Sequence, residues 1–389
     1  MKICLIQQHP VDEARIPAAI LRWVVVHDWL RARGHEVLSI GPNSRWRWEW
    51  RSFRGARQLM VPGPGSGIKA LDMLAFSLLL VPTMLWLRRR ERPDAWFVDE
   101  LFVAFGVLAL RLLHPREAIL YDVMGVHYHQ VRKHNRNLLR HLPLAWSYWL
   151  LEHLTLWGST LVSTVNDAHR ELLERWTRRP VRVVRDAAEF DLPGPAGALP
   201  AKAAGELWLT FVGKISNRRL DDLYGILPAL MAEEPRLRLI VVGNGPFFQR
   251  YVDWSARLSL ADRVHFADFV PHAHLPAWLA ASDITYSDDW SDIGFPMKVF
   301  EYMALGKAIL VEDTPAVREV MRHEENALLY TGLDGLREGV LRLARDPDLR
   351  RRIGHAAAEE ARRLHRWDGR MAQFEALFVE ARRLSGAEA

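Results

Sequence analysis

The feature that most constrains this chain is an alternation of short apolar runs with longer helical patterns, played through twice. In the first half the runs fall at residues 2–6, 36–40, 95–98, 118–121, 160–165 and 181–184. In the second they fall at 207–212, 237–242, 264–266, 284–286, 308–311 and 327–329. Runs of three to six mostly apolar residues read as strands buried on both faces, and the longer stretches between them as helices. One such helix, 20–33, is closed by Gly34, the residue type that tolerates the left-handed turn beyond a helix end. Strands that alternate with helices predict parallel sheets joined by right-handed crossovers.

Between the two series, residues 191–200 read Asp-Leu-Pro-Gly-Pro-Ala-Gly-Ala-Leu-Pro, the composition of a linker. The pattern therefore predicts an α/β chain of two Rossmann-like domains, 1–190 and 207–370, joined through 191–206 and facing each other across a cleft. A terminal helix over 371–389 is expected to pack back on the first domain. Ligands of such sheets bind outside the carboxyl ends of the strands. A length of 389 residues suits two domains better than one core.

Several classes are disfavoured. The single cysteine, Cys4, provides neither a disulfide framework nor a cysteine-based zinc site, and agrees with a reducing compartment. The opening apolar run is too short for a secretory h-region, so a cytoplasmic location is expected. The first strand runs into Gln7-Gln8-His9-Pro10, without the G-x-G-x-x-G turn of dinucleotide oxidoreductases. A net charge of +5 favours an anionic partner.

Three stretches of the second half converge on a nucleotide diphosphate. The strand ending at Val212 meets Gly213-Lys214-Ile215-Ser216-Asn217-Arg218-Arg219, a tight turn followed by cations that reach phosphate oxygens. The competing reading is a solvated basic loop. Val242-Gly243-Asn244-Gly245-Pro246 ends the next strand, and its glycines permit close backbone approach or merely a tight turn. Residues 292–307 read as a loop and a helix, with Pro296 at the first helical position and Gly306 past the end. Amides near Gly294 and Phe295 then form an anion site at a helix start. Glu301, about a turn and a half further in, suits the two hydroxyls of a ribose, the alternative being an ion pair with Lys298.

The span 211–329 resembles the family 4 retaining glycosyltransferases, which have the GT-B fold. It carries Phe211-Val212-Gly213-Lys214, Val241-Val242-Gly243-Asn244-Gly245-Pro246, then 263–270, Gly294-Phe295-Pro296-Met297-Lys298, 301–307 and Glu325-Asn326-Ala327-Leu328-Leu329 in the family's order and spacing. The first half resembles the family's acceptor domain more loosely. The resemblance implies diphosphate binding by Lys214 and Arg219 and ribose binding by Glu301, the last glutamate of an E-x7-E motif. It implies donor contacts from backbone at Gly243, Asn244, Gly294, Phe295 and Pro296, with base contacts near Val270. It also implies a front-face transfer without metal from a UDP- or GDP-linked sugar. The first glutamate of the motif is replaced by Ile293, with Asp292 or Asp289 the nearest carboxylates, and the family's lysine is Arg219. The rival readings are a catalytically silent sugar-binding or scaffold protein and a nucleotide-sugar epimerase of the same fold.

In the first half, Tyr121-Asp122-Val123-Met124-Gly125-Val126-His127 follows a strand, and His127 is the candidate to orient the acceptor or stabilise charge at the sugar. The alternative is one of sixteen scattered histidines at the surface. Arg15 is a further candidate for phosphate or acceptor. Asp221-Asp222 suits a helix start better than a metal, and no metal is assigned. Arg45-Trp46-Arg47-Trp48-Glu49-Trp50-Arg51-Ser52-Phe53-Arg54 interleaves aromatic and basic residues as membrane-interface segments do. Residues 68–87 are nearly apolar before Arg88-Arg89-Arg90, which fits a span, a buried crossover helix or partial insertion in one leaflet. Trp146, Trp149 and Trp157 suggest a second apolar face. The expected partners are a nucleotide sugar, a lipid-linked or glycan acceptor and an anionic membrane surface, with no nucleic acid.

Overall fold

The computed structural model describes residues 1–8, 20–134, 138–188, 199–215, 220–288 and 293–386, with backbone only at 69–70, 130, 132–134 and 138–142. It divides into two compact units, Met1–Arg185 with Arg370–Ala389, and Asp186–Gly369. Most of the expected linker, 191–198, lies outside the described residues.

The first unit is built on β1 (Lys2–Ile6), β2 (Glu36–Pro42), β3 (Glu49–Phe53), β4 (Ala56–Val61), β5 (Ala95–Val98), β6 (Ile119–Val123), β7 (Leu161–Thr164) and β8 (Val181–Val183). Their order is β3-β4-β2-β1-β5-β6-β7-β8, parallel except that β3 runs against β4. The connections carry α1 (Leu21–Ala32), α2 (Lys69–Arg90), α3 (Ala104–Leu113), α4 (His127–His134), α5 (Leu138–Gly158) and α6 (Asp167–Trp176). At the end of α1, Gly34 has φ +82°, and the amides of Gly34 and His35 donate to the carbonyls of Arg31 and Leu30. Those carbonyls have no partner inside the helix, so the left-handed residue closes it.

The β3–β4 hairpin was not expected from the pattern. Its two-residue turn places Arg54 and Gly55 at φ +46° and +75°, the mirror-image turn that suits the twist of paired strands. Arginine at the first of these positions hides the usual Asn-Gly signal. The aromatic–basic alternation read as an interfacial segment is therefore also a strand and its approach, with period two.

Helix α2 is the crossover from β4 to β5. Met73, Phe76, Leu80, Met84 and Leu87 on its inner side are buried, and a Cβ on Gly106 of α3 would overlap the Met84 sulfur. One face is thus committed to the domain core, although the helix is long and apolar enough to cross a membrane. On its other face Leu71, Leu74, Leu78 and Trp86 are exposed. On α5, Trp146 and Trp157 are exposed, but Trp149 departs from the expected outer face. Its ring lies 4.0 Å from that of His153, which in turn meets Trp176 at 4.8 Å.

The second unit has β9 (Leu207–Val212), β10 (Leu237–Val242), β11 (Val264–Asp268), β12 (Ile284–Ser287), β13 (Ala308–Glu312) and β14 (Leu328–Tyr330), all parallel in the order β11-β10-β9-β12-β13-β14. Every residue of the central β9 is buried, as expected for a sheet covered on both faces. The cover comes from α7 (Asp221–Glu233), α8 (Phe248–Arg257), α9 (Leu275–Ala281), α10 (Lys298–Ala304), α11 (Pro315–Arg318), α12 (Gly332–Arg345) and α13 (Pro347–Leu364). The last helix, α14 (Trp367–Ser385), starts earlier than the expected 371. Within the first unit it sets Phe374 and Phe378 edge-on to Phe97 of β5, while Arg22 of α1 lies 4.7 Å over the Phe374 ring.

Candidate functional site

In the second unit the expected residues gather at the carboxyl ends of β9, β10, β11 and β12. Beyond β9, Gly213 adopts φ +146°, and beyond β10, Gly243 adopts φ +135°. The two turns are pressed together: the Gly213 amide donates to the Val242 carbonyl at 2.9 Å, and a Cβ on Gly243 would fall inside the Gly213 carbonyl. Gly245 stands equally close to the Ile215 carbonyl. Glycine is required here by both backbone angle and contact. Asn244 donates through its side-chain amide to Asp268, while its carbonyl accepts from Ile215 at 2.9 Å. Lys214 is exposed just past the turn, and Val270 lies half-buried beyond β11.

Helix α10 approaches the same edge. Its first residue is Lys298 and its N-cap Met297, so Pro296 precedes the helix and is not its first residue as expected. The chain instead enters through a tight turn in which Pro296 and Met297 carbonyls accept from Val299 and Phe300 amides. Among the described residues no hydrogen bond takes up the amides of Gly294 or Phe295. At the other end Gly306, at φ +63°, closes the helix, with Gly306 and Lys307 amides donating to Met303 and Tyr302 carbonyls. The Tyr302 hydroxyl accepts from the Val212 amide at 3.1 Å and fastens α10 to the end of β9.

Two further side chains complete this edge, His272, which the sequence did not single out, and Lys298. His272 Nε2 meets Glu301 Oε1 at 2.6 Å, so the partner of Glu301 is this histidine and not Lys298. Lys298 turns the other way. Its Nζ lies 4.0 Å from the Phe211 ring centre and 3.8 Å from Asp288 Oδ1, next to the Gly213 turn. His272 stands twenty-nine positions before Glu301, and no local spacing signals a pair across two strand ends. The alternative suggested by the i−3 spacing, an ion pair of Lys298 with Glu301, is not formed. Arg219, Asp292 and Asp289 lie outside the described residues, and Ile293 is present as an aliphatic side chain at the head of the loop.

The carboxyl edge of the first sheet is of a different kind. The His127 amide donates to Glu152 Oε1 at 2.7 Å, its ring Nδ1 lies 3.6 Å from the same oxygen, and the ring packs against Tyr148. Glu152 is buried, and among the described residues its second oxygen has no hydrogen-bond partner. Beyond β5 stand buried Asp99 and Glu100. Burial, then the neighbouring charges of Glu100 and Asp122, hold the Asp99 carboxyl well above the usual carboxylate range. Asp122 on β6 is neutralised by Arg22, which donates from Nε at 2.7 Å and from a terminal nitrogen at 3.1 Å, and Ser163 adds a third bond. Sequence reading singled out His127 but not Asp99 or Glu152, whose burial no pattern announced. Arg15 lies outside the described residues.

With glycine turns, half-exposed amides, cations and one oriented carboxylate, the second edge suits an anionic, hydroxyl-bearing ligand. Residues 200–360 match the model of the family described as glycosyl transferases group 1. Over those residues the chain is similar to that family. A D-inositol 3-phosphate glycosyltransferase from Kribbella flavida is 26% identical over 220 residues, 52% of this chain and 51% of that protein. A GDP-mannose-dependent α-(1-6)-phosphatidylinositol monomannoside mannosyltransferase from Mycobacterium tuberculosis is 25% identical over 162 residues, 40% of this chain and 42% of that protein. The chain thus spans about half the length of the curated relatives it matches. Among solved structures, a sucrose-phosphate synthase from Thermosynechococcus elongatus superposes with a TM-score of 0.83 at 18% identity, covering 97% of this chain and 98% of that one. The chain therefore has the GT-B fold.

Proposed function

We propose that this chain is a group 1 glycosyltransferase that transfers a sugar from a nucleoside diphosphate donor to a hydroxyl of a membrane-held acceptor, a lipid-linked saccharide or growing surface polysaccharide, with retention at the anomeric carbon. The reading is carried by one observation: the nested Gly213 and Gly243 turns lie beside Lys298, while Glu301 is held by His272 at the same sheet edge. The glycine turns let a diphosphate approach backbone amides, with Lys298 and Lys214 offsetting its charge. Glu301 accepts the two ribose hydroxyls, and His272, donating from Nε2, fixes the carboxylate for them.

In the proposed front-face step the bond from the anomeric carbon to the leaving phosphate oxygen breaks, and the acceptor oxygen bonds to the same face. The acceptor proton passes to the departing phosphate. The protein contributes positioning and charge stabilisation and no covalent nucleophile. His127, set by buried Glu152, is the group for acceptor or sugar in the first domain. No metal and no other cofactor enters this scheme. We place the protein on the inner face of the cell membrane, in the cytoplasm, without nucleic acid as partner.

Purified protein incubated with UDP- and GDP-sugars is expected to release nucleoside diphosphate, faster with acceptor lipid present. A thermal-shift screen narrows the donor first, because a ligand at 100 times its Kd stabilises the fold by about 2.7 kcal/mol. If no nucleotide sugar shifts the melting temperature or is consumed, the proposal is lost. One observation favours a second reading, a silent sugar-binding protein: Ile293 occupies the position of the motif's first glutamate and cannot bond sugar hydroxyls. Donor binding without turnover or hydrolysis separates that reading from the first.

A further inference from the structure

Helix α2 and the segment leading into β3 together present one apolar, aromatic surface. Leu71, Leu74, Leu78 and Trp86 recur at helical spacing on the side of α2 that faces away from the core, and Leu78 is 55% exposed. The preceding aromatic run joins them: Trp48 Nε1 donates to Thr83 Oγ1 at 3.3 Å, and the Trp50 and Trp86 rings lie 6.5 Å apart. Trp46, at the approach to the strand, is 70% exposed. Between the rings and Pro82 lies a depression of about 420 Å³. Monomeric proteins rarely leave so many large apolar side chains together in water.

The rim is cationic. Arg90 lies 5.1 Å over Trp86 and Arg57 4.3 Å over Trp50, and Arg89 is exposed at the end of α2. Of the acids nearby, Glu49 and Glu91 are each shared by two or more cations and Asp72, at the start of α2, is bonded by Ser66, so positive charge remains in excess. Tryptophan tips flanked by arginines match the boundary between acyl chains and anionic head groups. A second copy of the chain fits poorly, because an isologous contact would set the same arginines against each other. Spanning fits poorly too: it would strip Phe76, Leu80 and Met84 from their contacts with the domain.

We propose that this surface is where the protein docks: Trp46, Trp48, Trp86, Leu71, Leu74 and Leu78 enter one leaflet of an anionic bilayer, with Arg57, Arg89 and Arg90 at the head groups. This rests on the membrane location proposed above and not on the transfer chemistry. Binding of the full chain to vesicles of phosphatidylcholine with and without phosphatidylglycerol tests it. Wild-type protein is expected to bind the anionic vesicles, with affinity falling as salt rises. Bromine-labelled acyl chains are expected to quench its tryptophan fluorescence.

The double variant Leu74→Glu/Leu78→Glu, whose sites touch solvent in the free protein, is expected to lose binding at least tenfold. Arg89→Gln/Arg90→Gln is expected to lose about fivefold per arginine, the equivalent of about 1 kcal/mol each, with a shallower salt dependence. An unchanged nucleoside diphosphate thermal shift confirms that each variant is folded. If wild-type protein ignores anionic vesicles at every salt concentration, the membrane location and this surface both fall. Wild-type binding with unaffected variants overturns the surface alone, as does a dimer that the leucine variants dissociate. Resistance to alkaline extraction from the vesicles, the mark of a span, overturns one-leaflet docking.

Discussion

The two domains share a parallel α/β plan yet dispose of their apolar and charged groups in opposite ways. Among the described residues, every exposed tryptophan and most other exposed large apolar side chains belong to the first domain. Its strand ends carry the buried acids Asp99 and Glu100, with buried Glu152 of α5 and a buried Arg22–Asp122 pair. The second domain closes its surface and places glycines, Lys214 and Lys298 at its strand ends. The same scaffold thus presents two unlike surfaces, because function is set at strand ends and helix outer faces while the buried strands are left to hold the fold.

The largest effect that sharpens this contrast is expected at Arg22. Arg22→Ala leaves Asp122 buried without its cation, which costs about 3–5 kcal/mol, read as a lowered denaturation midpoint. Nucleoside diphosphate affinity under native conditions should be retained, since the proposed site belongs to the other domain; loss of it would break the division of labour. Next comes Glu301→Ala, expected to remove about 2–4 kcal/mol of donor or transition-state binding. It should lower kcat/KM while vesicle binding stays at the wild-type level, and near-normal turnover would remove Glu301 from the site.

Lys298→Met is expected to weaken nucleoside diphosphate binding by about 1.5–3 kcal/mol, the range for hydrogen bonds to charged groups. Calorimetric titration measures it, and equal affinity would return Lys298 to a purely structural partner of Asp288. The smallest effect concerns pH. The raised Asp99 pKa means the folded state keeps a proton that the unfolded chain gives up near pH 4. Its contribution to stability is full below that pH and is lost as pH rises toward the folded value. Asp99→Asn should flatten that part of the stability profile, whereas an unchanged slope would mean that Asp99 ionises normally in the fold.

Much of this was legible beforehand. The strands around Leu5, Phe97, Phe211 and Val241 announce themselves because residues buried on both sheet faces must be apolar in an unbroken run. Gly34 and Gly306 were readable as helix ends because the left-handed backbone they adopt is open to few other residues. The β3–β4 hairpin escaped because its turn begins with Arg54, a residue seldom found at positive φ. The α2 segment, read alone, leaves a core helix and an interfacial helix open, with a span disfavoured by the Lys69, Asp72 and Pro82 that interrupt it.

By itself the sequence determined the sheet order's raw material, the glycine turns and the position of Glu301 on a short helix, because period, backbone freedom and local spacing are properties of neighbouring residues. Tertiary structure alone decided that His272 holds Glu301, that Lys298 turns to the Gly213 turn, that Asp99 is buried among other acids and which side of α2 meets water. Those facts depend on elements far apart in the chain meeting at one edge, and on which atoms are thereby withdrawn from solvent.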